Sequence, residues 1–161
     1  MPVRAFFPTL IYRESIGGAD GRRFNQDMAY ECRSLAASDA ARHYPGGYTS
    51  YGSLDRLHLF SSLFARLRRR IDPHVKAFAR ALHYDLAGRS LAMTDCWANV
   101  MPAGVVHSLH LHPTSFISGT YYVEVPKGAG ALKFEDPRLG LHMATPPRRA
   151  DAPESFHSFV N

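Results

Sequence analysis

The stretch VVHSLHLHPTSFISGTYYVEV, residues 105–125, decides the fold class of this 161-residue chain. It is rich in β-branched and aromatic residues, and a turn at residues 113–115 that begins with proline divides it into two segments, which is the pattern of paired strands. Similar segments precede and follow it, so we predict an antiparallel β unit over about residues 90–161. The predicted strands are residues 91–101, 105–112, 116–125 and 131–134.

The preceding part of the chain, about residues 1–89, has mainly helical patterns. Residues 3–12 are predicted as an opening strand, and Asp20 is predicted to cap a helix that runs to about His43. Residues 48–60 are predicted as a strand followed by a turn. The helical face of the first helix is predicted to consist of Phe24, Met28, Cys32 and Leu35. Helices followed by strands predict a single α+β domain.

An arginine-rich helix is predicted between Ser61 or Ser62, which can cap it, and Gly88, which can end it. Proline fits the first turn of a helix, so Pro73 predicts two short helices that meet at an angle. Apolar residues recur along this segment at steps of three and four, which predicts one buried stripe. These residues are Leu63, Leu67, Ile71, Val75, Phe78, Leu82 and Leu86.

The positive charge of the chain is concentrated on this helix. From Arg56 to Arg89 there are eight basic and two acidic residues, whereas the formal net charge of the chain is +5. We interpret the arginines as a solvated helical face and expect no nucleic-acid partner, because no aromatic residues are interleaved as stacking platforms. Binding of an anionic partner stays open as the alternative.

The remaining composition predicts a cytoplasmic protein without a membrane segment. The apolar runs are far shorter than the roughly 20 residues of a spanning helix. The N-terminal residues lack the apolar core of a signal peptide. Cys32 and Cys96 are interpreted as two buried thiols in a reducing compartment, with a disulfide as the open alternative.

Three histidines fall within six residues, at His107, His110 and His112. Because side chains alternate between the faces of a strand, we predict His110 and His112 on one face and His107 on the other. Two imidazoles at this spacing can reach one divalent ion. The alternative is a pair of half-buried histidines that bond to backbone or water. A second alternating face, which can line a pocket, consists of Asp95, Trp97 and Asn99.

Four segments resemble, in order and spacing, the family of 2-oxoglutarate and Fe(II)-dependent oxygenases of bacteria and their phages. They are WANVMPAG at 97–104, HLHP at 110–113, ISGTYYV at 117–123 and GALKFEDPR at 130–138. More distantly, the chain resembles the prolyl-hydroxylase-type oxygenases. The resemblance implies a double-stranded β-helix, which is a jelly-roll or cupin-like fold, with the N-terminal helices packed on one sheet.

The resemblance also implies Fe(II) as the metal and 2-oxoglutarate as the co-substrate. His110 matches the first metal ligand of the family, and His112 stands where His-x-Asp relatives have their carboxylate. Tyr122 matches a tyrosine that hydrogen-bonds 2-oxoglutarate, with an aromatic core residue as the alternative. Lys133 can replace the arginine that binds the far carboxylate of 2-oxoglutarate. We favour the interpretation of Lys133 as an edge lysine that deters strand pairing.

Family members continue with a distal histidine and then with that arginine, and this sequence ends at Asn161, before that segment. His142 and His157 are therefore the candidates for a third ligand. We expect the β-helix to be incomplete over these residues. Because an incomplete barrel exposes unpaired strand edges, we also expect a homo-oligomer.

Three functions remain open at this point. The leading one is a dioxygenase that hydroxylates a small-molecule or peptide substrate and converts 2-oxoglutarate into succinate and CO2. The second is a cupin-like module that binds a metal or ligand without catalysis. The third is an adaptor that binds anions through the arginine-rich helix, in a salt-sensitive manner. Nucleotide-dependent, zinc-ribbon and serine-hydrolase functions lose support because their motifs are missing from the sequence.

Overall fold

The computed structural model describes residues 3–4, 6–39, 46–138, 144–157 and 159–160. The chain divides into two compact units. One is Tyr12–Pro126, and the other combines Met1–Ile11 with Lys127–Asn161. A single domain over the whole chain stays a prediction. Among the described residues, no helix has the length and apolar character needed to cross a membrane.

The Tyr12–Pro126 unit pairs helices with a short antiparallel sheet. In that sheet Tyr48 lies opposite Val100, and Thr49 lies opposite Asn99. The elements of its described residues are α1 (Gly21–Ser38), β1 (Tyr48–Thr49), α2 (Leu57–Phe60), α3 (Ser62–Ala81) and β2 (Asn99–Val100).

The second unit contains β3 (Phe134–Glu135), a 3-10 turn (Glu154–Phe156) and β4 (Phe159–Val160). β3 and β4 are antiparallel, with Phe134 opposite Val160. The guanidinium of Arg138 folds back onto the carboxylate of Asp136, which fixes the turn after β3. The two units together give helices with sparse strands, and this mixture agrees with the α+β class.

The core of the first unit lies where α1 and α3 meet the segment before β2. Phe24 and Met28 of α1 are each 1% exposed, and Phe64 of α3 is 2% exposed. Leu57, Leu67 and Ala98 complete the buried cluster, with Cys32, Leu35 and Cys96 packed against it. The predicted apolar face of α1 is therefore confirmed, since its four residues all lie in or against this core.

Asp20 precedes α1 as predicted, but its side chain does not cap the helix. Its carboxylate instead accepts hydrogen bonds from Arg70 at 2.7 and 2.6 Å and from Arg66 at 3.1 Å. The guanidinium of Arg70 also lies 4.1 Å from the ring centre of Phe24. The prediction that the arginines form a solvated face thus holds for Arg66, which is exposed, and is wrong for Arg70, whose side chain is only 21% exposed. Charge-assisted bonds to the carboxylate and the contact with Phe24 replace its water.

Ser61 caps α3, as predicted. Its hydroxyl accepts hydrogen bonds from the N–H groups of Leu63 and Phe64. The helix then continues through Pro73 to Ala81, so the prediction of two short helices that end at Gly88 is wrong. A single missing N–H bond at Pro73 is tolerated here because α3 has buried residues on both sides of it, with Phe64 and Leu67 in the core before it and Ala79 buried after it.

The predicted strands are only partly present. Residues 99–100 form β2 within the predicted 91–101 strand, and residues 134–135 overlap the predicted 131–134 strand. Among the described residues, 105–112, 116–125 and the opening segment contain no strand. Strand propensity shows that a segment suits a pleated surface, but a ladder also needs a neighbouring strand with free backbone groups.

Candidate metal centre

The segment before β2 is held by backbone hydrogen bonds on both sides of Trp97. The N–H of Cys96 donates to the carbonyl of Asp55 at 2.6 Å, and its carbonyl accepts from Leu57 at 2.9 Å. On the other side, Ala98 exchanges bonds with Ser50. Trp97 therefore projects from a short backbone segment that cannot turn without breaking these bonds.

Ser50 is fully buried and connects this segment to the turn after β1. Its N–H donates to the carbonyl of Ala98 at 2.9 Å, and its hydroxyl accepts from the Ala98 N–H at 3.0 Å. The Ser50 carbonyl accepts from the N–H of Leu54 at 2.7 Å, which closes the turn. Gly52 adopts a φ of +85°, which favours glycine, and donates to the carboxylate of Asp55. The turn presents Tyr51 beside Trp97.

Three aromatic rings follow one another at this place. The indole of Trp97 is stacked on the imidazole of His112, with ring centres 5.7 Å apart and planes inclined by 17°. Tyr51 contacts Trp97 edge-on, at 5.1 Å between ring centres. The contacts of Trp97 with Tyr51 and with His112 thus connect the turn after β1 to the histidine motif.

The two predicted ligands, His110 and His112, face each other. Their Nε2 atoms lie 2.9 Å apart. The ring of His107 lies 4.4 Å from that of His110, measured between centres. The prediction that His107 points to the opposite side is therefore wrong, because residues 105–112 are not in a strand and strand alternation does not apply.

The carbonyl of Ser108 determines which nitrogen of His110 carries a proton. It lies 2.9 Å from Nδ1 of His110 and 3.1 Å from Nδ1 of His107. A carbonyl oxygen can only accept, so each of these nitrogens donates an N–H. Neutral His110 then has its lone pair on Nε2, which is the nitrogen that faces His112.

His112 is half-buried, and this has an electrostatic consequence. Burial lowers the pKa of the His112 imidazole, and the neighbouring rings of His110 and His107 lower it further. A lowered pKa favours the neutral ring, which is the form that binds metals.

The geometry of the pair fits one shared ion. Two nitrogens bound at about 2.1 Å to one metal at a right angle lie roughly 3.0 Å apart. The Nε2–Nε2 separation of 2.9 Å agrees with this value. Within the ranges described above, no group of three or more His, Cys, Asp or Glu side chains is arranged to hold a metal. The described residues thus offer two convergent donors.

The two tyrosines of the Tyr-Tyr-Val segment have different surroundings. Tyr121 packs against the core, and its hydroxyl donates to Oδ1 of Asn25. Tyr122, the predicted 2-oxoglutarate ligand, is 49% exposed, and its hydroxyl makes no hydrogen bond to a described residue. An exposed hydroxyl is accessible to a ligand, and its role stays a prediction.

The other predicted site residues belong to the second unit or lie outside the described residues. Lys133 is exposed and directly precedes β3. His157 is exposed, and its Nε2 lies 3.3 Å from the carbonyl of Ala152. His142 lies outside the described residues. The roles of Lys133 and His157 stay predictions.

Sequence reasoning missed Tyr51 and Ser50, which support the histidine motif through Trp97. Both lie in the segment 48–60, which was predicted only as a strand and turn. The one signal for them was the Tyr-Gly pair at 51–52, since glycine marks a turn that can present its neighbour. Trp97 itself had been predicted as part of a pocket face.

Comparison with known proteins adds one family. A search of curated proteins finds no match. Residues 95–161 match the family model described as "Putative 2OG-Fe(II) oxygenase". The matched segment contains Trp97, His110 and His112, and it begins two residues before Trp97. The match agrees with the resemblance seen in the sequence: residues 95–161 are similar to this putative oxygenase family.

Proposed function

We propose that this chain is a Fe(II)- and 2-oxoglutarate-dependent dioxygenase in which His110 and His112 are metal ligands. Its substrate would be a small molecule or a peptide, and its core would be a double-stranded β-helix. Two kinds of support are independent of each other. The family match covers the histidine motif, and the paired imidazoles have the separation that one ion requires.

The separation of the two Nε2 atoms is the observation that carries this proposal. The 2.9 Å between them is the length of an Nε2–H···Nε2 hydrogen bond in the metal-free chain, and it is also close to the separation that two ligands of one ion require. Here the Ser108 carbonyl holds the proton of His110 on Nδ1, so Nε2 of His110 is free to donate its lone pair. His112 donates its Nε2 proton to His110 in the described geometry, and that proton has to leave when His112 binds a metal.

The chemistry expected of such a centre is specific. When bound there, Fe(II) with 2-oxoglutarate would supply O2 activation, so that 2-oxoglutarate, O2 and a C–H substrate give succinate, CO2 and the alcohol. Tyr122 is proposed to donate its hydroxyl hydrogen to 2-oxoglutarate. Lys133 is a further candidate for 2-oxoglutarate, and His157 for the metal.

The test is succinate formation from 2-oxoglutarate with Fe(II), ascorbate and O2. We expect succinate from the wild type and none above background from His110→Ala or His112→Ala. The control is His83→Asn, since His83 is exposed and lies outside the motif. Lys133→Ala and His157→Ala test the remaining predictions. Equal succinate from wild type and from both motif variants would contradict the proposal.

A second candidate function is a metal- or ligand-binding module without catalysis. The observation that favours it is that the described residues offer two donors and no cluster of three. This candidate predicts metal binding that depends on His110 and His112, together with no succinate formation under any of these conditions. The same set of variants therefore separates the two functions.

A further inference from the structure

We infer that Trp97, supported by Tyr51, is a positioning residue that holds the His112 ring in the orientation needed for metal binding. This inference rests on the proposed function, because it assigns His112 as a ligand. It goes beyond the ligands themselves, since neither aromatic residue has an atom that binds the metal.

The imidazole rings of His110 and His112 are anchored differently. His110 is oriented by its Nδ1–H bond to the Ser108 carbonyl. His112 makes no such Nδ1 bond to any residue that the structure describes. Rotation about the last side-chain bond of histidine is soft, so an imidazole without a second anchor samples many orientations. Apart from its Nε2 bond to His110, which is lost when a metal binds, the orientation of His112 therefore depends on packing.

The ring of His112 packs against the indole of Trp97. The indole of Trp97 lies nearly parallel to the His112 ring, inclined by 17°. A nearly parallel stack resists the rotation that would turn Nε2 of His112 away from His110, because rotation brings the ring edge into the indole face. A hydrogen bond usually fixes the orientation of a histidine that binds a metal, whereas here the indole face of Trp97 fixes it.

Trp97 is itself held in place by its backbone neighbours and by Tyr51. Its neighbours Cys96 and Ala98 are bonded to Asp55 and Ser50, which fixes the backbone on both sides. Tyr51 contacts Trp97 edge-on from the turn that Ser50 closes. The support of His112 thus runs through the buried Ser50 into the core of the Tyr12–Pro126 unit.

The experiment compares Co(II) binding by the wild type, Trp97→Leu, Trp97→Phe and Tyr51→Ala, with His112→Ala as reference. We expect Trp97→Leu to weaken binding roughly tenfold to a hundredfold, as losses of supporting residues do. Trp97→Phe keeps a ring and should restore most of the affinity. Tyr51→Ala should show a smaller loss without unfolding, since Tyr51 is 58% exposed.

A second readout needs no metal. The His112 ring lies nearly parallel to the indole with 5.7 Å between ring centres, so the indole ring current is expected to shift its ring-proton resonances in the wild type. They should move to ordinary positions in Trp97→Leu, and those of His110 should move less. Thermal unfolding of each variant shows whether the fold is kept.

The outcomes separate the inference from the proposed function. Wild-type affinity and unchanged His112 resonances in Trp97→Leu would overturn the inference and leave the ligand assignment intact. If Trp97→Leu does not fold, wild-type affinity and unchanged His112 resonances in Tyr51→Ala overturn the inference. Wild-type protein that fails to bind Co(II), or binds it equally after His112→Ala, would instead overturn the proposed function.

Discussion

The indole of Trp97 is stacked on the imidazole of His112, with 5.7 Å between ring centres. This contact joins two segments that the sequence alone treats separately, the strand-like segment before β2 and the histidine motif. Tyr51, which contacts Trp97 edge-on, and the buried Ser50 connect the stack to the turn after β1. The candidate metal centre is thus supported from the core of its unit.

Replacement of Ser50 by alanine should destabilise the fold. The Ser50 hydroxyl is fully buried, accepts from the Ala98 N–H and donates to the Leu54 carbonyl at 3.3 Å. Its removal leaves the buried Ala98 N–H without this acceptor and the part-buried Leu54 carbonyl without this donor, at a cost of about 1–3 kcal/mol. Urea unfolding measures this loss. Ser90→Ala, at an exposed position, is the control, and equal stability of both variants would contradict the structure.

Stability should fall in acid because of Asp20. The hydrogen bonds from Arg70 hold the pKa of the Asp20 carboxyl below its ordinary value. A carboxyl whose pKa is lower in the folded state stabilises the fold above the ordinary pKa, and this contribution is lost as the pH falls through the lowered value. Below about pH 4, the difference in stability between Asp20→Asn and wild type should therefore be smaller than at neutral pH. Thermal unfolding from pH 7 to pH 2.5 measures it.

The control for this prediction is Asp27→Asn, an exposed position on the same helix. We expect its difference from wild type to stay nearly constant over the pH range. If the difference in stability between Asp20→Asn and wild type is equally constant over the pH range, Arg70 and Asp20 are not paired in solution.

The two cysteines should react slowly in the folded protein. Burial raises the pKa of the Cys32 thiol to about 11, and burial likewise raises that of Cys96 to about 11. At pH 8 such a thiol is ionised to roughly one part in a thousand, and the thiolate is the reactive form. Labelling with a disulfide reagent should be far slower in buffer than in urea. Rapid labelling of both thiols in buffer would contradict the burial.

Self-association is expected from the exposed apolar residues of the motif region. Val106, Leu111 and Phe116 are 81%, 87% and 79% exposed. Large apolar side chains exposed together favour association. Light scattering over a range of concentrations should show a homo-oligomer that Leu111→Ser weakens. A monodisperse monomer at high concentration would contradict this prediction.

Local rules predict α1 and the start of α3, but not α2 (Leu57–Phe60), which lies in the segment 48–60 predicted as a strand and turn. The apolar face of α1 and the Ser61 cap of α3 depend on residues three or four positions apart, and the structure confirms both. Pro73 was overestimated as a helix boundary, because the tertiary packing of α3 outweighs one missing hydrogen bond. The bonds from Asp20 to Arg66 and Arg70 join residues about 50 positions apart, which no local pattern reveals.

The strands, and the residues that support the histidine motif, were less predictable because they depend on contacts between distant parts of the sequence. The sequence indicated His110 and His112 as a pair, and the structure brings their Nε2 atoms together. It could not indicate that Trp97 would lie on His112 or that Tyr51 would lie against Trp97, since both contacts depend on the tertiary arrangement of distant segments. The predicted strands at 105–112 and 116–125 failed because strand propensity does not specify a partner.

The most direct test of the account is an anaerobic Fe(II) titration followed by the fluorescence of Trp97, the one tryptophan of the chain. Because Trp97 lies on His112, Fe(II) bound to His110 and His112 should quench this fluorescence at one equivalent. His110→Ala and His112→Ala should abolish the saturable quenching, and His83→Asn should retain it. Fluorescence that does not respond to Fe(II), or that responds equally in both motif variants, would contradict the assignment of the metal centre.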